Sequence, residues 1–157
     1  MTPHPSRWSF ASDAVRAELG ESPETLFESG EEVKANPVRR VVRSGGYFLK
    51  CDRRGAARKS AKLLESQGIP VVEYLACGES SRGGCLITRA LPDSESVAEY
   101  YWRTFVRGGA DPEPFLALFA PFLKHILESG LFHPDFHLGN ILYDKVKRSF
   151  VLVDALG

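Results

Sequence analysis

Residues 131–142 read LFHPDFHLGNIL. Four polar side chains, His133, Asp135, His137 and Asn140, interrupt an otherwise apolar run. Asp154 closes a second apolar stretch, FVLVD, fourteen residues after Asn140. Ile141 to Tyr143 and Phe150 to Val153 read as the two strands of a hairpin that turns at Asp144 to Arg148. A loop carrying Asp135 and Asn140, followed by a hairpin ending in Asp154, can turn three oxygen-bearing side chains toward one place. Carboxylate and amide oxygens are hard ligands, and one or two carboxylates with substrate phosphates make the usual Mg²⁺ shell. Asp135 is suited to accept the proton of an attacking hydroxyl, and Asn140 and Asp154 are suited to hold the metal.

A phosphate also needs a cation, and Lys50 ends the strand-like stretch YFLK. A lysine on a central strand is costly to bury without an anion. Read alone, Lys50 equally fits a strand end that faces solvent.

Taken together, these residues resemble the protein-kinase plan. That plan has a catalytic loop H-x-D-x-x-x-x-N, a strand lysine before it and a metal-binding aspartate after it. His133, Asp135 and Asn140 match every fixed position of the loop. HPDFHLGN is similar to the loop of small-molecule kinases, in which a second histidine and a glycine precede the asparagine. QGIPVVEYLACGE (67–79) and GCLITRALPDSESV (84–97) resemble the lipopolysaccharide kinase (Kdo/WaaP) family, with its G-I-P element and its L-x-T-x-A-L-P hinge. The resemblance spans Leu26 to Gly157.

It implies an α+β, protein-kinase-like fold: a small antiparallel-sheet N-lobe plus a partial helical C-lobe carrying the catalytic loop. It implies an extension over 1–24, the N-lobe and hinge over 25–92, and the partial C-lobe over 93–157. The implied activity is ATP-dependent phosphorylation of a sugar hydroxyl of lipopolysaccharide core, Kdo or heptose, with ATP and Mg²⁺ as cofactors. On that reading Asp135 is the catalytic base, His133 braces the loop, and His137 orients the loop or approaches the phosphates. Asn140 and Asp154 bind Mg²⁺, and Lys50 contacts the α- and β-phosphates. Thr88, Arg89, Ala90 and Leu91 form the hinge whose backbone meets adenine.

Three departures from the plan stand out. The helix expected over Arg54 to Gln67 has Arg58 and Lys59 where a glutamate partner for Lys50 belongs, and Glu65 is its only acid. The glycine-rich loop is reduced to Ser29-Gly30. Asp154 is followed by Ala-Leu-Gly and the chain stops, so a truncated chain, a minimal kinase-like protein or a non-catalytic one is expected.

Composition sets wider bounds. The 157 residues are 43% hydrophobic and 25% charged, enough for a sizeable core. Twenty basic residues balance twenty acidic ones. There is thus no global attraction to nucleic acid or anionic membrane. A local basic run, Arg53, Arg54, Arg58 and Lys59, suits an anionic acceptor or simply a solvated helix face. Cys51, Cys77 and Cys85 are odd in number and form no C-x-x-C pair, which fits free thiols in a reducing compartment. With no signal peptide and no long apolar run, the expectation is a soluble cytoplasmic protein without a transmembrane segment. Peripheral contact with the inner membrane stays open.

Further elements follow from local signals. Ser12 or Asp13 caps a helix over Ala14 to Leu19 that ends at Gly20, and Ser22-Pro23 breaks the chain after it. Val38 to Val42 and Gly46 to Cys51 form a hairpin around Ser44-Gly45-Gly46. Val71 to Ala76 and Cys85 to Arg89 form two more strands, joined by a turn over Gly78 to Gly84. Residues 93–103 read as a helix capped by Asp93, Ser94 or Ser96. Asp111-Pro112 opens a helix whose stripe Phe115, Leu118/Phe119, Phe122/Leu123 and Ile126/Leu127 reads as core, with a kink expected at Pro121.

Two alternatives accompany the sugar-kinase reading. An aminoglycoside- or choline-type phosphotransferase keeps the fold and changes the acceptor, and a pseudokinase or fragment binds nucleotide or a partner without transfer. His133, Asp135 and His137 also offer nitrogen and oxygen ligands to a transition metal.

Overall fold

The computed structural model describes residues 7–37, 39–52, 66–130 and 136–153. The chain divides into two units, residues 1–62 with 72–90, and residues 63–71 with 91–157. The first unit is built on a six-stranded antiparallel sheet. Its elements are β1 (Arg7–Ala11), α1 (Asp13–Leu19), α2 (Pro23–Ser29), β2 (Glu31–Ala35), β3 (Arg39–Ser44), β4 (Tyr47–Asp52), β5 (Tyr74–Ser80) and β6 (Gly83–Arg89). The strand order is β1-β5-β6-β4-β3-β2.

The expected hairpin is present as β3 and β4. Ser44 pairs with Tyr47, so the turn is Gly45-Gly46, and Gly45 takes φ +55°. Only glycine adopts that left-handed backbone at no steric cost. The next hairpin is tighter than its sequence suggests. Ser80 pairs with Gly83, leaving Ser81-Arg82 as the turn. The Ser80 hydroxyl accepts the Arg82 N–H at 3.1 Å and donates to the Gly83 carbonyl at 3.0 Å, closing the turn from within. Gly78 is therefore a strand residue. A methyl group there would run into the Arg7 carbonyl oxygen and lie 3.1 Å from the Trp8 Cα, so glycine lets β1 approach β5.

Alternation divides the sheet into two faces. Val42, Tyr47, Leu49, Cys51, Cys85 and Ile87 turn to one side, where Val15 and Leu19 of α1 and Leu26 and Phe27 of α2 cover them. Residues 7–24, read from sequence as an extension, thus supply an edge strand and part of this core. α1 begins and ends as its sequence indicates. The Ser12 hydroxyl accepts the Val15 N–H, and Gly20, at φ +88°, donates its N–H to Arg16. Pro23 does not break the chain but starts α2, where its missing N–H costs nothing.

The second unit contains β7 (Ser94–Ser96), α3 (Val97–Tyr101), a π-helical turn (Trp102–Arg107), α4 (Glu113–Glu128), a 3₁₀ turn (Leu138–Asn140), β8 (Ile141–Asp144) and β9 (Ser149–Leu152). β7, β8 and β9 form a small antiparallel sheet in that order. The expected hairpin at the end of the chain is β8–β9. The helix expected over 93–103 begins later, at Val97. Residues 94–96 are taken into the sheet opposite Leu142 to Asp144, and the Ser96 hydroxyl then caps α3 through the Glu99 N–H.

α4 is the expected core helix, with Phe115, Phe119 and Ile126 buried and Leu127 exposed. Asp111 contributes at its start by accepting the Glu113 N–H at 3.1 Å. Phe115 sits among rings, with centroids of Tyr100, Phe105, Tyr143 and Phe150 at 5.3, 5.4, 5.1 and 5.5 Å. Such pairs add to the area they bury. Among the described residues no helix is long and apolar enough to cross a membrane. The helix expected over Arg54 to Gln67 and the basic run Arg53, Arg54, Arg58 and Lys59 lie outside the described residues, apart from Ser66 and Gln67.

Candidate functional site

Lys50 lies on β4, paired with Val41 on one side and Leu86 on the other. It belongs to the sheet face that α1 and α2 leave uncovered, together with Phe48, Leu86 and Thr88. The pairs Lys50–Leu86 and Phe48–Thr88 place these four side chains in one patch. Leu86 is buried there, with Tyr74 and Cys77 packed against it. The strand period therefore puts two of the expected nucleotide-binding residues, Lys50 and Thr88, on a common, half-buried face.

The other expected hinge residues are used differently. Arg89 falls on the opposite face, where its guanidinium pairs with Glu73 at 2.7 Å and lies 5.9 Å from the centre of the Tyr47 ring. Its backbone N–H donates to the Glu73 carbonyl, and the Ala90 N–H donates to the Gly46 carbonyl at 2.7 Å. The Leu91 carbonyl accepts the Ser94 N–H at 3.2 Å. These bonds hold residues 89–91 in place, and they use the backbone N–H groups of Arg89 and Ala90.

In the second unit, His137 opens the 3₁₀ turn that ends at Asn140. The His137 Nδ1 accepts the Gly139 N–H at 3.0 Å, and its carbonyl accepts the Asn140 N–H at 3.0 Å. The Asn140 carbonyl in turn accepts the Val153 N–H at 3.1 Å. Asn140 is thus pinned by its backbone on both sides, immediately before the buried Ile141 and beside the end of β9.

β9 is tied down a second time, by the Leu152 N–H donating to the Pro70 carbonyl at 2.9 Å, with Val71 bridging Leu152 in parallel. Gly68-Ile69-Pro70 therefore has a physical task, anchoring the strand that leads to Asp154. Sequence spacing did not show that contact, because 82 residues separate its partners.

His133, Asp135 and Asp154 lie outside the described residues, as does Glu65. Among the described residues no three His, Cys, Asp or Glu side chains gather in a way that would hold a metal ion. Gly30 is used in packing. Its N–H caps α2 by donating to Leu26, and a methyl group there would overlap Val42 Cγ1 and lie 2.8 Å from the Leu26 carbonyl oxygen. Residue 30 is glycine because α2 and β3 approach closely.

This arrangement, a small antiparallel sheet bearing a lysine followed by helices and a loop–hairpin bearing an asparagine, is the protein-kinase-like fold. Solved structures bear this out. The chain is similar to Rad53 1-466 in complex with AMP-PNP, with a TM-score of 0.57 and 14% identity over 80% of this chain and 36% of that one. It is also similar to a double mutant of the Mycobacterium tuberculosis PknI kinase domain, with a TM-score of 0.50 and 17% identity over 80% of this chain and 58% of that one. The chain therefore spans about a third to three-fifths of the length of these two structures. No protein-family model and no curated protein sequence matches it.

Proposed function

We propose that this chain is a kinase-type phosphotransferase that uses ATP and Mg²⁺ to phosphorylate an alcohol, with a sugar hydroxyl of lipopolysaccharide core, Kdo or heptose, as acceptor. One observation carries the reading. The H-x-D-x-x-x-x-N spacing ends on a backbone-pinned asparagine ahead of a β-hairpin, within a protein-kinase-like fold. In the transfer, the acceptor oxygen bonds to the γ-phosphorus and the bond to the β,γ-bridging oxygen breaks. ADP leaves with that electron pair, and the acceptor's proton passes to Asp135. Asn140 and Asp154 hold Mg²⁺ and Lys50 offsets charge on the phosphates, so positioning and electrostatics supply most of the catalysis. His133 braces the loop, and residues 88–91 face adenine through the backbone groups their own bonds leave over.

The acceptor class rests on the sequence likeness of residues 67–79 and 84–97 to lipopolysaccharide kinases. A glycolipid acceptor would place the reaction at a membrane surface, on its cytoplasmic side.

The test is Mg²⁺-dependent ATP binding by calorimetry, followed by phosphate transfer to core glycolipid, an aminoglycoside and choline. Wild type is expected to bind ATP with Mg²⁺, Asp154→Ala to weaken binding, and Asp135→Ala to keep binding while transfer falls by about 10²–10⁴-fold. A chain that binds no nucleotide overturns the reading. Binding without transfer to any acceptor favours a pseudokinase, a second reading supported by the use of Gly30 in packing rather than at phosphates.

A further inference from the structure

We propose that His137 is a positioning residue, whose ring winds the turn Leu138–Asn140 and so delivers the Asn140 side chain without touching substrate. The inference rests on the proposed function, because it concerns the delivery of a metal ligand.

Two bonds from one residue build the turn. The Nδ1 atom of His137 takes the Gly139 N–H at 3.0 Å, and the His137 carbonyl takes the Asn140 N–H at 3.0 Å. Accepting through Nδ1 requires a lone pair on that nitrogen, so the ring carries its proton on Nε2. The ring also lies directly against residue 139. A methyl group at Gly139 would stand 2.8 Å from Nδ1 and 2.9 Å from Cε1, closer than real contacts allow. The pair H-x-G is thus one device: the histidine supplies the acceptor and the glycine supplies the room. Its output is Asn140, whose carbonyl is held in turn by the Val153 N–H at 3.1 Å. His137 itself is exposed, so its role does not come from filling a core.

Positioning through Nδ1 and contact with phosphate through Nε2 predict opposite rescues. Asparagine places its side-chain oxygen near the Nδ1 position, whereas glutamine reaches the Nε2 position. The experiment compares wild type with His137→Asn, His137→Gln and Gly139→Ala in the full chain, each checked for folding by circular dichroism. It reads three quantities: the through-bond ¹⁵N–¹⁵N coupling between His137 Nδ1 and the Gly139 amide, amide exchange at Gly139 and Asn140, and Mg²⁺·ATP affinity.

The expected result is a coupling in wild type and near-native exchange in H137N. Exchange should quicken about tenfold in H137Q and G139A, as the loss of one net hydrogen bond implies. Mg²⁺·ATP affinity should fall less in H137N than in H137Q or G139A. Three outcomes overturn the proposal: no coupling in wild type, rescue by H137Q instead of H137N, or equal affinity across all variants despite altered exchange. A wild type that binds no Mg²⁺·ATP has a different meaning: it overturns the proposed function, and the positioning role falls with it.

Discussion

At Tyr47 a side-chain hydrogen bond connects the sheet to α1, the helix that covers it. The phenol donates to Glu18 Oε2 at 2.5 Å. That bond, with desolvation and the nearby carboxylate charge, holds the phenol's pKa above its usual value, although Arg89 pulls the other way. A group whose folded pKa is raised favours the protonated folded state. Its contribution is whole below the unfolded pKa, about 10, and is lost as pH rises through the folded value. Chemical denaturation as a function of pH should therefore show wild type losing stability above about pH 10, with a shallower loss for Tyr47→Phe. An identical slope in both would remove this account. The sequence displayed a tyrosine in a strand, yet its partner lies 29 residues away on a helix whose placement only packing decides.

Elements show how one residue type can carry different meanings. Gly30 and Gly46 both look like loop glycines in sequence. A methyl group at Gly30 meets Val42 and the backbone of Leu26, whereas at Gly46 it meets nothing within 4 Å. Gly30→Ala should cost about 1–3 kcal/mol, the usual range for overpacking, and Gly46→Ala should stay within about 0.5 kcal/mol. Urea denaturation of the two variants decides it. If Gly30→Ala instead leaves stability intact and weakens ATP binding, the phosphate-loop reading returns.

α4 offers the parallel contrast. Its stripe was legible because helical period is local, but the rotation that buries Phe115 and leaves Leu127 69% exposed is tertiary. Phe115→Ala should cost about 3–5 kcal/mol, and Leu127→Ala about 0.5 kcal/mol or less. Comparable losses at both positions would mean that Leu127 is covered.

For the molecule as a whole, the thiols report where the sheet core lies. Cys51 and Cys85 face each other across β4 and β6 and are buried, while Cys77 is half-buried on the opposite face. The Cys51 thiol beside it, together with burial, pushes the Cys85 thiol far up, and thiolate is the reactive form. A disulfide reagent should therefore label Cys77 first, and reach Cys51 and Cys85 only at the rate of global unfolding. Rapid labelling of three thiols in folded protein would contradict this core.

The sequence by itself determined what depends on neighbours along the chain. The caps of α1, the two-glycine turn and the β8–β9 hairpin are set by contacts within a few residues, and the H-x-D-x-x-x-x-N spacing, legible in the order of residues alone, points to a kinase-like fold. Tertiary structure alone decided what depends on distant partners. β1 joins the sheet through residues 76–79. Arg89 turns to Glu73 and Tyr47 rather than to the Lys50 face, and Pro70 anchors Leu152. Local spacing is written in the order of residues, whereas such pairings exist only once burial of the apolar faces has chosen which strands meet.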